Sequence, residues 1–262
     1  MDLGLKNKNA VVMAGSKGLG KGVALKLAEE GANVLIMSRN LDNLNKAKEE
    51  IESRTKREVV IFQGDVTKKN DVFRAVETAA KKFGTVHILF TNAGGPPPGG
   101  FFDVKPDDYL SAVNLNLMST IYGVYAAVPY MKKNKWGRII ASVSISVKQP
   151  LDNLILSNVS RAGIITFIKS VANAVAPLNI TANAVLPGYT MTDRVKHLIE
   201  NGANKKGTTF ESEAEKIIKN IPMGRIGLVE EFSSVVAFLA SEEASYITGA
   251  AIPIDGGFIK CV

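Results

Sequence analysis

The chain has 262 residues, 46% hydrophobic and 22% charged, close to the average globular composition, which excludes collagen-like, coiled-coil and disordered classes. Its one cysteine, Cys261, has no intrachain partner, so disulfide-rich secreted classes are excluded and a reducing, cytoplasmic compartment is expected. The 32 Lys and Arg against 25 Asp and Glu leave +7, open to a phosphorylated cofactor, an acidic substrate or a nucleic acid. The basic residues are scattered and no nucleic-acid module is recognisable, which weighs against the last.

In chain order, residues 10–14 form an apolar run too short for a signal-peptide core and suited to a buried strand. Gly15 to Gly20 make a glycine-rich turn, followed by a helical window over residues 21–30 and a second strand over 33–37. Leu41, Leu44, Ala47 and Ile51 recur at helical spacing before a strand at 59–63, and Val72, Val76, Ala79 and Phe83 do so before a strand at 86–90. Gly31 and Gly84 stand where a left-handed residue closes a helix.

Gly94 to Gly100, with three prolines inside, reads as a stiff extended arch between flexible ends, either a rigid connector or a wall over the site. Residues 111–131 carry no charge and are long enough to cross a bilayer, but Ser111, Asn114, Asn116, Ser119, Thr120 and Pro129 make a buried or subunit-contact helix the better reading.

Strands follow at 138–143 and 180–186, then a polar stretch over 187–225 expected to be a mobile lid. A helical window with Phe232, Val235, Val236 and Leu239 and a last strand at 250–254 complete the chain. Alternation of buried strands with amphipathic helices predicts an α/β, Rossmann-type doubly wound fold with a seven-stranded parallel sheet. No linker divides it, so one domain is expected over residues 1–262.

The turn Gly15, Ser16, Lys17, Gly18, Leu19, Gly20 lies between a strand and a helix, where glycines permit close backbone approach and a helix N-terminus offers N–H groups to a diphosphate. A plain structural turn is the alternative. An NAD-preferring site would place an acid at the end of the second strand, but Ser38, Arg39 and Asn40 stand there. Arg39 and Lys17 therefore predict NADP(H) in preference to NAD(H), unless they are simply solvated surface cations. Two distant histidines, His87 and His197, and one cysteine give no metal-ligand spacing, and no metal is expected.

Over nearly its whole length the chain resembles short-chain dehydrogenases/reductases, most nearly the 3-oxoacyl-(acyl carrier protein) reductases. The landmarks are Met13 through Gly20, with Ala14 in place of the family's first turn glycine, then Asp65 and Val66, then Asn92, Ala93 and Gly94. Asn116, the pair Pro187 and Gly188, Thr190, Thr192, and Asp255, Gly256 and Gly257 follow. The resemblance implies cofactor contacts from these residues up to Thr192 and a catalytic set of Ser, Asn, Tyr and Lys. It also implies a homotetramer or homodimer formed through the 111–131 helix and the 246–262 segment.

Ser144 and Asn116 match the family's Ser and Asn, but the Tyr and Lys positions hold Ser157 and Arg161. A phenol needs a shift of roughly three units, about 4 kcal/mol, to work near neutrality, and a nearby cation can supply it. Ser157 starts several units higher, and Arg161 does not release a proton near pH 7. Alcohol oxidation should suffer most, whereas reduction needs only polarisation of the carbonyl and a proton from water. Tyr189, after the Pro-Gly pair, is a substitute phenol or a pocket wall; Lys148 is a spare amine or an exposed loop residue.

Two readings follow. The first is an NADPH-dependent reductase of a carbonyl, by resemblance a 3-oxoacyl thioester, with Ser144, Asn116, Ser157 and Arg161 at the reaction. The second is an impaired relative holding NADP(H) as a structural or redox-sensing ligand.

Overall fold

Successive residues of a strand point to opposite faces, so a strand with a continuous apolar run must be covered on both sides. In the computed structural model, which describes residues 2–261, β1 (Asn9–Met13) and β2 (Asn33–Ser38) behave in this way. Val11, Met13, Leu35 and Met37 enter a core shared with α3 (Lys69–Phe83), α5 (Ser119–Asn134) and α6 (Ile155–Val175). Ala10, Val12, Val34 and Ile36 enter a second core with α1 (Gly18–Glu29), α2 (Leu41–Thr55) and α9 (Val229–Leu239) on the other face.

With β3 (Val59–Gln63), β4 (Ile88–Thr91), β5 (Gly137–Ser142), β6 (Ile180–Pro187) and β7 (Ala251–Ile254), these strands form one parallel seven-stranded sheet of order β3-β2-β1-β4-β5-β6-β7. This is the expected single-domain doubly wound fold. The order reverses between β1 and β4, which opens a crevice at the carboxyl ends of the strands. No helix among the described residues is long and apolar enough to cross a membrane. Met1 and Val262, the outermost residues of the expected domain, lie outside the described residues.

Four local expectations need correction. The first strand stops at Met13, because Ala14 takes φ 48° in the left-handed region and starts the turn. The uncharged 111–131 stretch is not one regular helix: α4 (Pro106–Val113) passes into a π-helical turn, Asn114–Met118, which continues as α5. The strand expected at 138–143 runs instead over Gly137–Ser142, and Ser144 precedes a 3-10 turn, Ile145–Val147.

The 94–100 arch does not have flexible ends. Arg194 donates to the Gly95 and Pro96 carbonyls (3.2 and 3.3 Å) at one end, and Gly99 pairs with Asn153 and Ile155 through backbone bonds of 2.7 and 3.2 Å at the other.

The polar stretch 187–225 contains two helices, α7 (Asp193–Lys206) and α8 (Phe210–Ile218). They bury Ile199, Ala214, Ile221 and Ile226 in a small core of their own, against which Phe258 packs.

Candidate active site

The β1–α1 turn is shaped for close approach. A Cβ on Gly20 would lie 2.3 Å from the Ala14 carbonyl oxygen, a backbone atom that cannot swing aside, and Gly18 has φ +51°. Lys17 before α1 makes no side-chain cap, and the first turn of the helix carries no acid. The leading amides and the positive end of the helix dipole are therefore left for anionic oxygens, the arrangement a dinucleotide diphosphate uses.

Gly15 is held by its amide on the Met37 carbonyl (3.0 Å), and the Ser16 hydroxyl donates to Ser38 (2.8 Å), which ties the turn to the end of β2. Lys17 and Arg39 are both exposed. Leu19 packs on the second core, and Asn92, at the end of β4, lies beside Gly20.

On the next loop Asp65 accepts from the Thr67 amide and hydroxyl (2.9 and 2.8 Å), and Val66 is buried in the first core. Ala93 packs on that core, whereas Gly94 is exposed.

Pro187 closes β6, and Gly188 is pressed so closely on Asp255 that a Cβ would come within 2.7 Å. Thr190 is buried and bridges to Gly227. Thr192 caps α7 through the Val195 amide, and its methyl would stand 3.4 Å from a Cβ on Gly18. Residues separated by more than 170 positions in sequence thus meet around one crevice.

At the other end, α6 carries Ser157, Ser160 and Arg161 on its buried side. The Arg161 Nε donates to the Ser157 Oγ (3.2 Å), one helical turn back. Nη1 donates to the Val143 carbonyl (2.8 Å) and, at 3.5 Å, to that of Ser142, and Nη2 reaches the Gly94 carbonyl (3.5 Å). Arg161 thereby joins α6 to the ends of β4 and β5. Burial, with the neighbouring Arg194 guanidinium, lowers its pKa to about 10.

Ser144 is not in this network; its hydroxyl accepts from the Ser146 amide (3.1 Å). Asn116, in the π turn, donates to Ser160 Oγ (3.0 Å) and to the Ala112 carbonyl (3.3 Å). Its Oδ1 is buried without a protein partner, a position that suits a bound water.

Comparison with known proteins finds relatives over nearly the whole chain. The sequence model described as enoyl-(acyl carrier protein) reductase matches residues 13–259. The NADPH-dependent reductase BacG of Bacillus subtilis is 35% identical, covering 98% of this chain and 100% of that one. The 3-oxoacyl-[acyl-carrier-protein] reductase FabG of Chlamydia trachomatis is 34% identical over 97% of this chain and 98% of its own. The chain belongs to the short-chain dehydrogenase/reductase family.

Among solved structures, L-sorbose reductase from Gluconobacter frateurii, complexed with NADPH and L-sorbose, superposes with a TM-score of 0.95 at 28% identity over the whole of both chains. YwfH, described as an NADPH-dependent reductase involved in bacilysin biosynthesis, superposes with a TM-score of 0.92 at 35% identity, over 97% of this chain and 99% of that one.

Within this short-chain dehydrogenase/reductase frame, two neighbours of the candidate residues escaped the sequence reading. Ser160 holds Asn116, and its position next to Arg161 was the available signal. Arg194 lies in a polar stretch, and nothing in its local pattern marks it as reaching the β4 loop. Tyr189 is half-buried with its ring edge-on to Phe258, as a pocket wall would be, and burial raises its phenol pKa. Lys148 is exposed.

Proposed function

We propose that the chain is an NADP(H)-dependent oxidoreductase that reduces a carbonyl group. The observation that carries this reading is the pairing of an uncapped α1 N-terminus behind a glycine turn with the buried Ser157–Arg161 bond at the ends of β4 and β5. The Gly15 to Gly20 turn would hold the diphosphate. Lys17, Ser38 and Arg39 would bind the ribose phosphate, Asp65 and Val66 the adenine, and Asn92 to Gly94, Pro187, Gly188, Thr190 and Thr192 the nicotinamide half. NADPH-dependent relatives and an NADPH-bound structural neighbour support the cofactor assignment.

When bound, the reduced dinucleotide supplies a hydride to the carbonyl carbon. Arg161 donates to the Ser157 oxygen, so that hydroxyl keeps its own proton for the substrate oxygen and stabilises the charge that develops there. Ser144 supplies a second donor. The alkoxide is basic enough to take its proton from water, and the unpartnered Asn116 Oδ1 positions one. Arg161, with most of its N–H groups on backbone carbonyls, acts from behind Ser157, and its remaining N–H would be left for the nicotinamide ribose.

A 3-oxoacyl thioester is the first substrate class, supported by the similarity to FabG. Residues 187–225 serve as the substrate lid, and Leu110, Tyr125 and Val159, exposed on α4, α5 and α6, support assembly into a dimer or tetramer.

The replacement of a phenol and an amine by Ser157 and Arg161 favours a second reading, in which NADP(H) is bound without turnover. NADPH oxidation with 3-oxohexanoyl-N-acetylcysteamine, a ketose and a quinone separates the two. Turnover by the natural chain supports the reductase, whereas turnover only after Ser157→Tyr with Arg161→Lys supports the binding protein.

A further inference from the structure

Two arginines are buried among the described residues, and they are treated differently. Arg138, with no exposed surface, faces Glu242 at 3.4 Å. Arg161, 8% exposed, has only a hydroxyl and backbone carbonyls as hydrogen-bond partners, and the charge that acts on it is a second guanidinium, that of Arg194.

Arg194 bonds the carbonyls of Gly95 and Pro96, consecutive with the Gly94 carbonyl that Arg161 holds. Two cations therefore share one run of backbone without a carboxylate. Asp193, exposed in the same turn of α7, makes no ion pair with Arg194. A desolvated cation lacking a counter-charge is costly, and a second cation beside it adds to the cost, so the arrangement is relieved by an arriving anion.

We propose that the substrate is an oxo acid, whose carboxylate Arg194 binds while Arg161 contributes charge from behind. Donor capacity fits these roles. Of the five N–H groups of a guanidinium, Arg194 uses two on Gly95 and Pro96, and three remain for a carboxylate. Arg194 is also exposed, so a ligand reaches it, whereas Arg161 is enclosed.

The cofactor diphosphate is the other possible anion. Its turn lies at Gly18 to Gly20, against Thr192, while Arg194 reaches past Thr192 to the β4 loop and Arg161, at the Ser157 end of the crevice. The inference rests on the carbonyl-reductase reading and moves its preferred substrate from the thioester to the free acid.

The test uses the full chain saturated with NADP+ and calorimetric titration with oxamate and methyl oxamate, which share a carbonyl and differ in charge. NADPH oxidation is followed in parallel with 3-oxohexanoate, its methyl ester and its N-acetylcysteamine thioester. Oxamate is expected to bind at least 10-fold more tightly than its ester, Arg194→Gln to abolish that difference while NADP+ affinity changes less than twofold, and the acid to be turned over in preference to both derivatives.

Equal binding of oxamate and its ester overturns the inference. So does a 10-fold loss of NADP+ affinity in Arg194→Gln without oxamate, which would assign the guanidinium to the diphosphate. Turnover of ester and thioester as fast as acid overturns it while leaving the reductase reading intact. Selective oxamate binding with no turnover of any compound keeps the anion site and removes the reductase reading.

Discussion

At the scale of single residues, the candidate site depends on hydroxyl and guanidinium groups whose chemistry differs from a phenol and an amine. Ser157→Ala is expected to lower kcat by roughly 100-fold, the usual effect of losing one donor to a developing oxyanion, with NADPH affinity unchanged within about twofold; steady-state kinetics and a binding titration check both. Gly20→Ala should cost about 1–3 kcal/mol of stability and abolish cofactor binding, because its methyl would collide with the Ala14 carbonyl; denaturant unfolding and NADPH fluorescence measure the two effects.

Ser144 and Asn116 were singled out by resemblance to the family's Ser and Asn, and Ser157 and Arg161 by counting the family's spacing from Ser144; the structure joins Ser157 to Arg161 and Asn116 to Ser160 by hydrogen bonds. Ala14 was misplaced in a strand because a left-handed alanine has no composition signal. Arg194 was missed because its contacts depend on the tertiary approach of the start of α7 to the loop after β4, which local sequence does not encode.

At the scale of elements, strands were easier to place than the helices of the 187–225 stretch. Strands β1, β2, β4, β5 and β6 are buried along most of their length and mainly apolar runs mark them, while the edge strands β3 and β7 are only partly buried. α7 buries only Ile199 and Ala203, and Asn201 and Gly202 lie within it, so its polar surface and helix-weakening residues resemble a loop.

What holds this pair of helices is partly ionic. Glu213 of α8 accepts from Lys206 at the end of α7 (2.8 Å), and from Thr208 and Lys216, bonds that lower its pKa from 4.5 to about 2. A carboxylate depressed in the folded state adds stability that is fully present above its unfolded pKa and lost as pH falls through the folded one. Glu213→Gln should therefore lower Tm at pH 7, and the gap to the natural chain should close between about pH 4.5 and 2; thermal unfolding across that range checks it. The π turn at Asn114–Met118 was illegible for another reason: it changes hydrogen-bond register without changing residue type.

At the scale of the whole molecule, the +7 charge acquires an address. Lys17 and Arg39 stand exposed at the β1 and β2 ends of the crevice, while the buried Arg161 and the exposed Arg194 lie against the loop after β4, so positive charge stands on both sides of the crevice. The double change Lys17→Ala with Arg39→Ala is expected to weaken NADPH by about 100-fold or more, since charge-assisted hydrogen bonds contribute about 1.5–3 kcal/mol each, and to leave NADH within about twofold. Paired binding titrations measure that ratio.

Assembly is expected to be a dimer or tetramer, and sedimentation of the full chain measures it. The central claim is that a serine supported by a buried arginine sustains hydride transfer to a carbonyl, and isotope transfer tests it most directly. The natural chain, NADPH deuterated at the transferred position and a panel of oxo acids and 3-oxoacyl thioesters are incubated, and the products are weighed by mass spectrometry. The account predicts an alcohol with one deuterium on the former carbonyl carbon, formed by the natural chain and strongly reduced in Ser157→Ala. NADPH binding without a deuterated product from any compound, with label appearing only in the Ser157→Tyr and Arg161→Lys double variant, would contradict it.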